Sequence, residues 1–157
     1  MKEREFNLIV EQTSQRIYRF VFKNLKSDAD TKDVVQETYV KFWLHKEKIE
    51  SVKIMAWLFT TAYRTMIDFI RKRKPSFDIT EVLLPITHSN SDIKDMVHNY
   101  IDELSPTFKS VILLRDLEGY NYEEIGTVLN LSESQVKVYL FRARKKLKDL
   151  IDKNEIS

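Results

Sequence analysis

Asn121 and Ser132 each stand three residues ahead of a Glu or Gln, namely Glu124 and Gln135, and each pair opens a short apolar run. An N-cap side chain accepts a backbone N–H, and the Glu or Gln reaches back to the cap's own N–H; donors otherwise orphaned at a helix start are thereby satisfied. Two helix starts this close leave room only for a short first helix, bearing Ile125, Val128 and Leu129, and a tight turn. Asn130 suits that turn, because asparagine enters the left-handed backbone region at little cost. The second helix carries Val136, Leu140, Ala143 and Leu147 at helical spacing as its inward stripe. Two capped helices joined by a tight turn, the second rich in Lys and Arg, make a helix-turn-helix.

With that stripe turned inward, a rotation of about 100° per residue puts Ser134, Val138, Phe141 and Lys145 on the opposite side. Gln135 and Arg142 flank them on one edge, Lys137 and Arg144 on the other. A merely solvated face seldom combines valine and phenylalanine with so many cations. In a major groove the apolar pair meets thymine methyls, Gln135 and Arg142 reach base edges, and Lys145, Lys146 and Lys148 lie near phosphates. The competing expectation for Phe141 is packing against the preceding helix.

Upstream, Ser105-Pro106 is a helix start with proline in the first turn. Phe108, Val111, Ile112 and Leu117 continue an inward stripe as far as Gly119, which suits a left-handed C-cap. Closer to the amino terminus, Phe6, Ile9, Val10, Ile17, Phe20, Val21 and Leu25 mark one amphipathic helix. After Ser27 and Asp28, Val35, Tyr39 and Phe42 mark a second, with Trp43 beside them. The stripe lapses from Ile49 to Lys53, a loop, and resumes from Ile54 through Trp57, Leu58, Ala62, Ile67 and Ile70. That third helix ends in Arg71-Lys72-Arg73-Lys74, and Pro75 disfavours its continuation. Trp57, Phe59, Tyr63 and Phe69 interleave with or precede Arg64 and the basic run. Stacking rings beside cations suit single-stranded nucleic acid, although aromatics at this spacing also build cores.

Two glycines and three prolines among 157 residues are few breakers, so the expected fold is all-α. It divides into residues 1–75, a linker over 76–95 containing Pro85 and His88-Ser89-Asn90-Ser91, and residues 96–157. A formal net charge of +2 excludes a molecule uniformly attractive to nucleic acid; what matters is the segregation into basic stretches and an acidic cluster at Asp28, Asp30, Asp33 and Glu37. The absence of cysteine rules out disulfides and thiolate metal sites. No apolar run is long enough to span a bilayer and no secretory pattern opens the chain, so a cytoplasmic protein is expected. His45, His88 and His98 are scattered and accompany no nucleophile or metal-ligand motif, so no enzyme and no cofactor is expected.

Asp33-Val34-Val35-Gln36-Glu37-Thr38-Tyr39 followed by Phe42-Trp43 resembles the second region of extracytoplasmic-function sigma factors. Trp57-Leu58 through Ala62 to Ile67-Asp68-Phe69-Ile70-Arg71 resembles the promoter-melting helix of that region. Leu104-Ser105-Pro106, Leu113 to Gly119, Tyr122-Glu123-Glu124-Ile125 and Val136-Lys137 through Arg142-Ala143-Arg144 resemble the fourth region. The resemblance implies docking on the β′ clamp helices of core RNA polymerase through Asp33, Gln36 and Glu37. It implies capture of the melted minus-ten strand by the loop from Ile49 to Lys53 and the third helix, with Lys53, Tyr63, Arg64, Arg71, Lys72 and Arg73 as contacts. It further implies docking of the second domain on the β flap and reading of the minus-35 promoter DNA by Ser134, Gln135, Lys137, Val138, Phe141, Arg142 and Lys145. An anti-sigma factor is the implied regulator, and no small-molecule substrate is implied.

Two stretches depart from the family pattern. Ala62-Tyr63-Arg64 stands where the family often has Ala-Arg-Asn, and Val136-Lys137-Val138-Tyr139 where it usually has Val-Lys-Ser-Arg. Exchanging a hydroxyl and a guanidinium for apolar surface alters sequence preference rather than abolishing binding. The competing function is a helix-turn-helix regulator with a helical sensor domain, which needs neither the Asp33-Gln36-Glu37 face nor the basic third helix.

Overall fold

The computed structural model describes residues 1–73 and 100–155, and every regular element among them is helical. The expected linker over 76–95, the boundaries assigned to it, Lys74, His88 and His98 lie outside the described residues. Two compact units result, one built on α1 to α3 and the other on residues 100–126 and 130–155.

In the first unit, α1 (Glu3–Leu25) ends where Lys26 turns left-handed at φ 58° and donates its N–H to Phe22 O. Ser27 caps α2 (Asp28–His45), its hydroxyl accepting from Asp30 N at 3.2 Å. A short 3₁₀ turn over Lys46–Lys48 precedes the expected loop from Ile49 to Lys53, and a second over Ser51–Lys53 lies within it and leads into α3 (Ile54–Arg73). Phe20, Phe42 and Phe59 are fully buried, with Phe20 and Phe59 edge to face at 5.4 Å between ring centres. Enclosing such rings stabilises the unit by about 25 cal/mol per Å² of apolar surface removed from water.

The inward line of α2 differs from the expectation by one residue. Val34 is buried and Val35 half-buried, and Thr31 and Thr38 complete the line. Thr38 can lie inside because its hydroxyl donates to Val34 O at 2.8 Å. An apolar count misses a threonine satisfied in this way, as Thr38 is. A second buried polar contact, 2.6 Å between the Thr13 and Tyr39 hydroxyls, ties α1 to α2. At the other end of the pair, the Tyr18 hydroxyl donates to Asp28. That bond first, and Lys32 second, hold the Asp28 carboxyl below the usual carboxylate range.

In the second unit, Ser105 caps α4 (Pro106–Ile112) by accepting from Phe108 N at 3.3 Å. The expected continuation to Gly119 is corrected: Leu113–Leu117 form a π turn, and Gly119 then takes φ 75°. A wide turn uses more residues per revolution, so Leu117, expected inward, falls off the stripe and is 50% exposed. The capping box of Asn121 and Glu124 opens α5 (Tyr122–Leu129), which Asn130 closes at φ 58°. α6 (Glu133–Glu155) follows, with Val136, Leu140 and Ala143 buried and Leu147 half-buried.

Candidate nucleic-acid interface

The start of α6 is built by reciprocal capping. Gln135 N donates to Ser132 Oγ at 3.1 Å, and Ser132 N donates to Gln135 Oε1 at 2.8 Å. The Gln135 carbonyl is thus engaged at the helix start, which leaves the two amide donors as its outward chemistry. Ser134, Lys137, Arg142 and Lys145 are exposed, as are Val138 at 43% and Phe141 at 70%. Packing of Phe141 inside the domain is excluded by that exposure. Tyr139 takes the packing role, meeting Phe108 edge to face at 6.0 Å.

Beside this face lies a groove of about 440 Å³, floored by Leu140 and bordered by Tyr122, Lys137, Phe141, Lys145 and Lys148. The Tyr122 ring lies under two cations, with the Arg115 guanidinium at 4.9 Å and the Lys137 ammonium at 5.6 Å from its centre. Arg115 is held in turn by donation to Tyr120 O at 3.0 Å, and Arg144 pairs with Asp116 at 2.8 Å. Sequence reasoning gave Tyr122 no site role. Its cue was an aromatic at the first position of a capped helix, but the partner cations come from segments before and after it.

In the first unit, His45, Lys48, Ile49, Glu50, Lys53 and Trp57 line a cavity of about 220 Å³ where the 3₁₀ turns meet α3. His45 and Trp57 are 6.0 Å apart between ring centres, and His45 Nδ1 lies 2.8 Å from Lys41 O. Lys53 sits 3.6 Å from Glu50. From Trp57 the outer face of α3 runs on at helical spacing through Arg64 and Asp68 to Arg71, the last three exposed. A recess with an aromatic wall, continued by a strip on which Arg64 and Arg71 flank Asp68, is suited to an unstacked base and its backbone.

Tyr63 does not join this strip. It is 9% exposed and packs in the core, because its position in α3 falls with Phe59 and Met66 rather than with Arg64. Arg73 is also diverted. Its guanidinium donates twice to Asp30, at 2.8 and 3.1 Å, and lies 4.7 Å from the centre of the Phe69 ring. Arg64, Arg71 and Lys72 carry no ion pair among the described residues.

Asp33, Gln36 and Glu37 are exposed on α2, with Glu37 paired to Lys41 at 3.5 Å. The same face continues into Val40, 53% exposed, and Leu44, 71% exposed, neither of which sequence reasoning included. The available signal was their spacing of seven and eleven residues from Asp33, which repeats the outward position. Beside them Lys46 covers the Trp43 ring at 3.6 Å.

Residues 9–75 match the family model for Sigma-70 region 2, and residues 94–147 match that for Sigma-70, region 4. The chain is 30% identical over 145 residues to the ECF RNA polymerase sigma factor SigM of Bacillus subtilis, across 87% of this chain and 89% of that protein. It is likewise 30% identical over 147 residues to the RNA polymerase sigma factor SigV of the same organism, across 91% and 89%. In fold it is similar to the sigma factor RpoE of Bartonella quintana, crystallised with the anti-sigma factor NepR, at a TM-score of 0.75 and 21% identity over 95% of this chain and 98% of that one. It is similar also to CnrH in complex with the cytosolic domain of CnrY, at a TM-score of 0.71 and 23% identity over 96% and 90%. With one capped helix-turn-helix unit, one three-helix unit and a SigM-like sequence along most of its length, the chain belongs to the extracytoplasmic-function RNA polymerase sigma factors.

Proposed function

We propose that this chain joins core RNA polymerase through the outer face of α2 and directs it to promoters with its two units. The second unit reads the minus-35 duplex with Ser134, Gln135, Val138, Phe141 and Arg142 on base edges and Lys137 and Lys145 on phosphates. The first holds the opened minus-ten strand, with a base in the recess by Trp57 and phosphates along Arg64, Arg71 and Lys72. The observation that carries the reading is the exposure of Phe141 and Val138 among cations on a doubly capped recognition helix. Exposed apolar groups there are stabilised once a methyl-bearing groove covers them.

Recognition is this chain's contribution, and nucleotide addition remains with the polymerase. Its site of action is the cytoplasm, where promoters and core enzyme meet; no helix among the described residues is long and apolar enough to cross a membrane. Of the structural neighbours, RpoE was crystallised with the anti-sigma factor NepR, and CnrH is described in complex with the cytosolic domain of CnrY. On that likeness an anti-sigma protein covers the same surfaces here. The test is transcription from genomic templates with purified core enzyme, with and without this chain. New starts that share two spaced upstream elements are expected. Starts unchanged by its addition, or DNA binding without competition for core against another sigma factor, would establish the plain regulator instead.

A further inference from the structure

The basic run at the end of α3 divides in two. Arg71 and Lys72 are exposed and carry no ion pair among the described residues. Arg73 turns back across the unit to Asp30, which is 43 residues away in sequence and lies in the first turn of α2. Both carboxylate oxygens are used, at 2.8 and 3.1 Å, and the Asp30 side chain is only 16% exposed. The guanidinium plane also rests over Phe69, one turn earlier in α3, at 4.7 Å. A fork-to-fork pair constrains direction as well as distance, which an ammonium cannot do. Asp30 is itself placed by its backbone N–H, which donates to the Ser27 cap. The last turn of α3 is therefore fastened to the start of α2, where a helix end would otherwise fray.

We propose that Asp30 and Arg73 are positioning residues for promoter opening: their paired carboxylate and guanidinium fix the last turn of α3 so that Arg71 and Lys72 face the displaced strand. The inference rests on the reading of α3 as the strand-holding helix. Arg73 on this view acts through its neighbours and does not itself neutralise a phosphate.

The test uses the full chain with core polymerase on a duplex promoter recovered from the genomic experiment, and on the same promoter with a pre-opened bubble. The readout is permanganate reactivity, expressed as the duplex-to-bubble ratio and taken below the thermal transition of each variant. Arg73→Lys keeps the charge and loses the fork, and should lower the ratio about threefold, the equivalent of one partly exposed ion pair. Asp30→Asn should lower it similarly. The double exchange Asp30→Arg with Arg73→Asp should restore it, because the pair is remade in reverse. If Arg73→Lys behaves as wild type, or the exchange stays as low as Arg73→Asp alone, Arg73 meets DNA directly and the proposal is wrong. An increase with Asp30→Asn would show a carboxylate that restrains Arg73 from DNA, which also overturns it. A lower melting temperature with an unchanged ratio would reduce the pair to a stabilising contact. Arg71→Ala with Lys72→Ala is the separate control: no change in its ratio refutes the strand-holding reading itself, whatever the pair does.

Discussion

Phe141 and Lys145 lie on the same side of α6 but differ in what the proposed reading has them offer DNA. The phenyl ring is 70% exposed, so truncating it removes little packing and should leave the thermal transition in place. Phe141→Ala should weaken a preferred minus-35 element by about 1–3 kcal/mol and scrambled DNA hardly at all. Lys145→Ala should lower affinity for every sequence alike and reduce the salt slope by about one. Titrations of matched and scrambled duplexes at several salt concentrations, beside thermal melts, separate the two; equal loss on both duplexes for Phe141→Ala would argue against base reading. Within the first unit, burial pushes the Tyr39 phenol above its ordinary range, with the Thr13 hydroxyl bond opposing it. A raised pKa in the folded state means that stability is fully present below the unfolded pKa and is lost as pH climbs above about 10. Tyr39→Phe should cost about 1 kcal/mol at neutral pH through the lost bond and show a shallower decline in alkali. Urea midpoints across that pH range measure both.

Helix ends were the most legible elements. Ser105, Asn121, Asn130 and Ser132 all behave as their chemistry requires, because each cap closes within four residues and needs nothing from the rest of the chain. Gly119 belongs with them: at φ 75° an added Cβ would meet no atom within 4 Å, so its role is conformational. Gly119→Ala should therefore destabilise the second unit by about 1–2 kcal/mol, and Gly119→Asn by less. Chemical denaturation of both variants checks this, and equal stability of the alanine variant would contradict a strained left-handed turn. The π turn before it was not legible. Leu113 and Leu114 are both buried while Arg115 reaches Tyr120 O and Asp116 reaches Arg144, and that compromise depends on partners supplied from outside the turn.

Polymerase docking involves the chain as a whole partner. The outer face of α2 starts acidic at Asp33, Gln36 and Glu37 and becomes apolar at Val40 and Leu44, a pattern with a polar rim and an anchoring centre. Gln36→Ala with Glu37→Lys, and Leu44→Ala separately, should each weaken competition for core enzyme by about 1–2 kcal/mol with helix content unchanged. Loss with the first variant but none with Leu44→Ala would confine docking to the acidic half. Of this surface only its acidic half was read from sequence, because exposure of a valine and a leucine is visible only once the inward line of α2 is known.

Local chemistry accounts for what could be read before folding: the all-helical class, the capped recognition helix and the outward placement of Val138 and Phe141 follow from caps and a period of 3.6 residues. Contacts between distant segments decided the rest. Tyr63 entered the core because α1 and α2 cover that side of α3, Val34 displaced Val35 on an inward line shared with Thr31 and a self-satisfied Thr38, and Arg73 was drawn out of the basic run because Asp30 was brought to it. Periodicity tells which residues share a face. Only packing tells which face another element covers, and which charge finds a partner there.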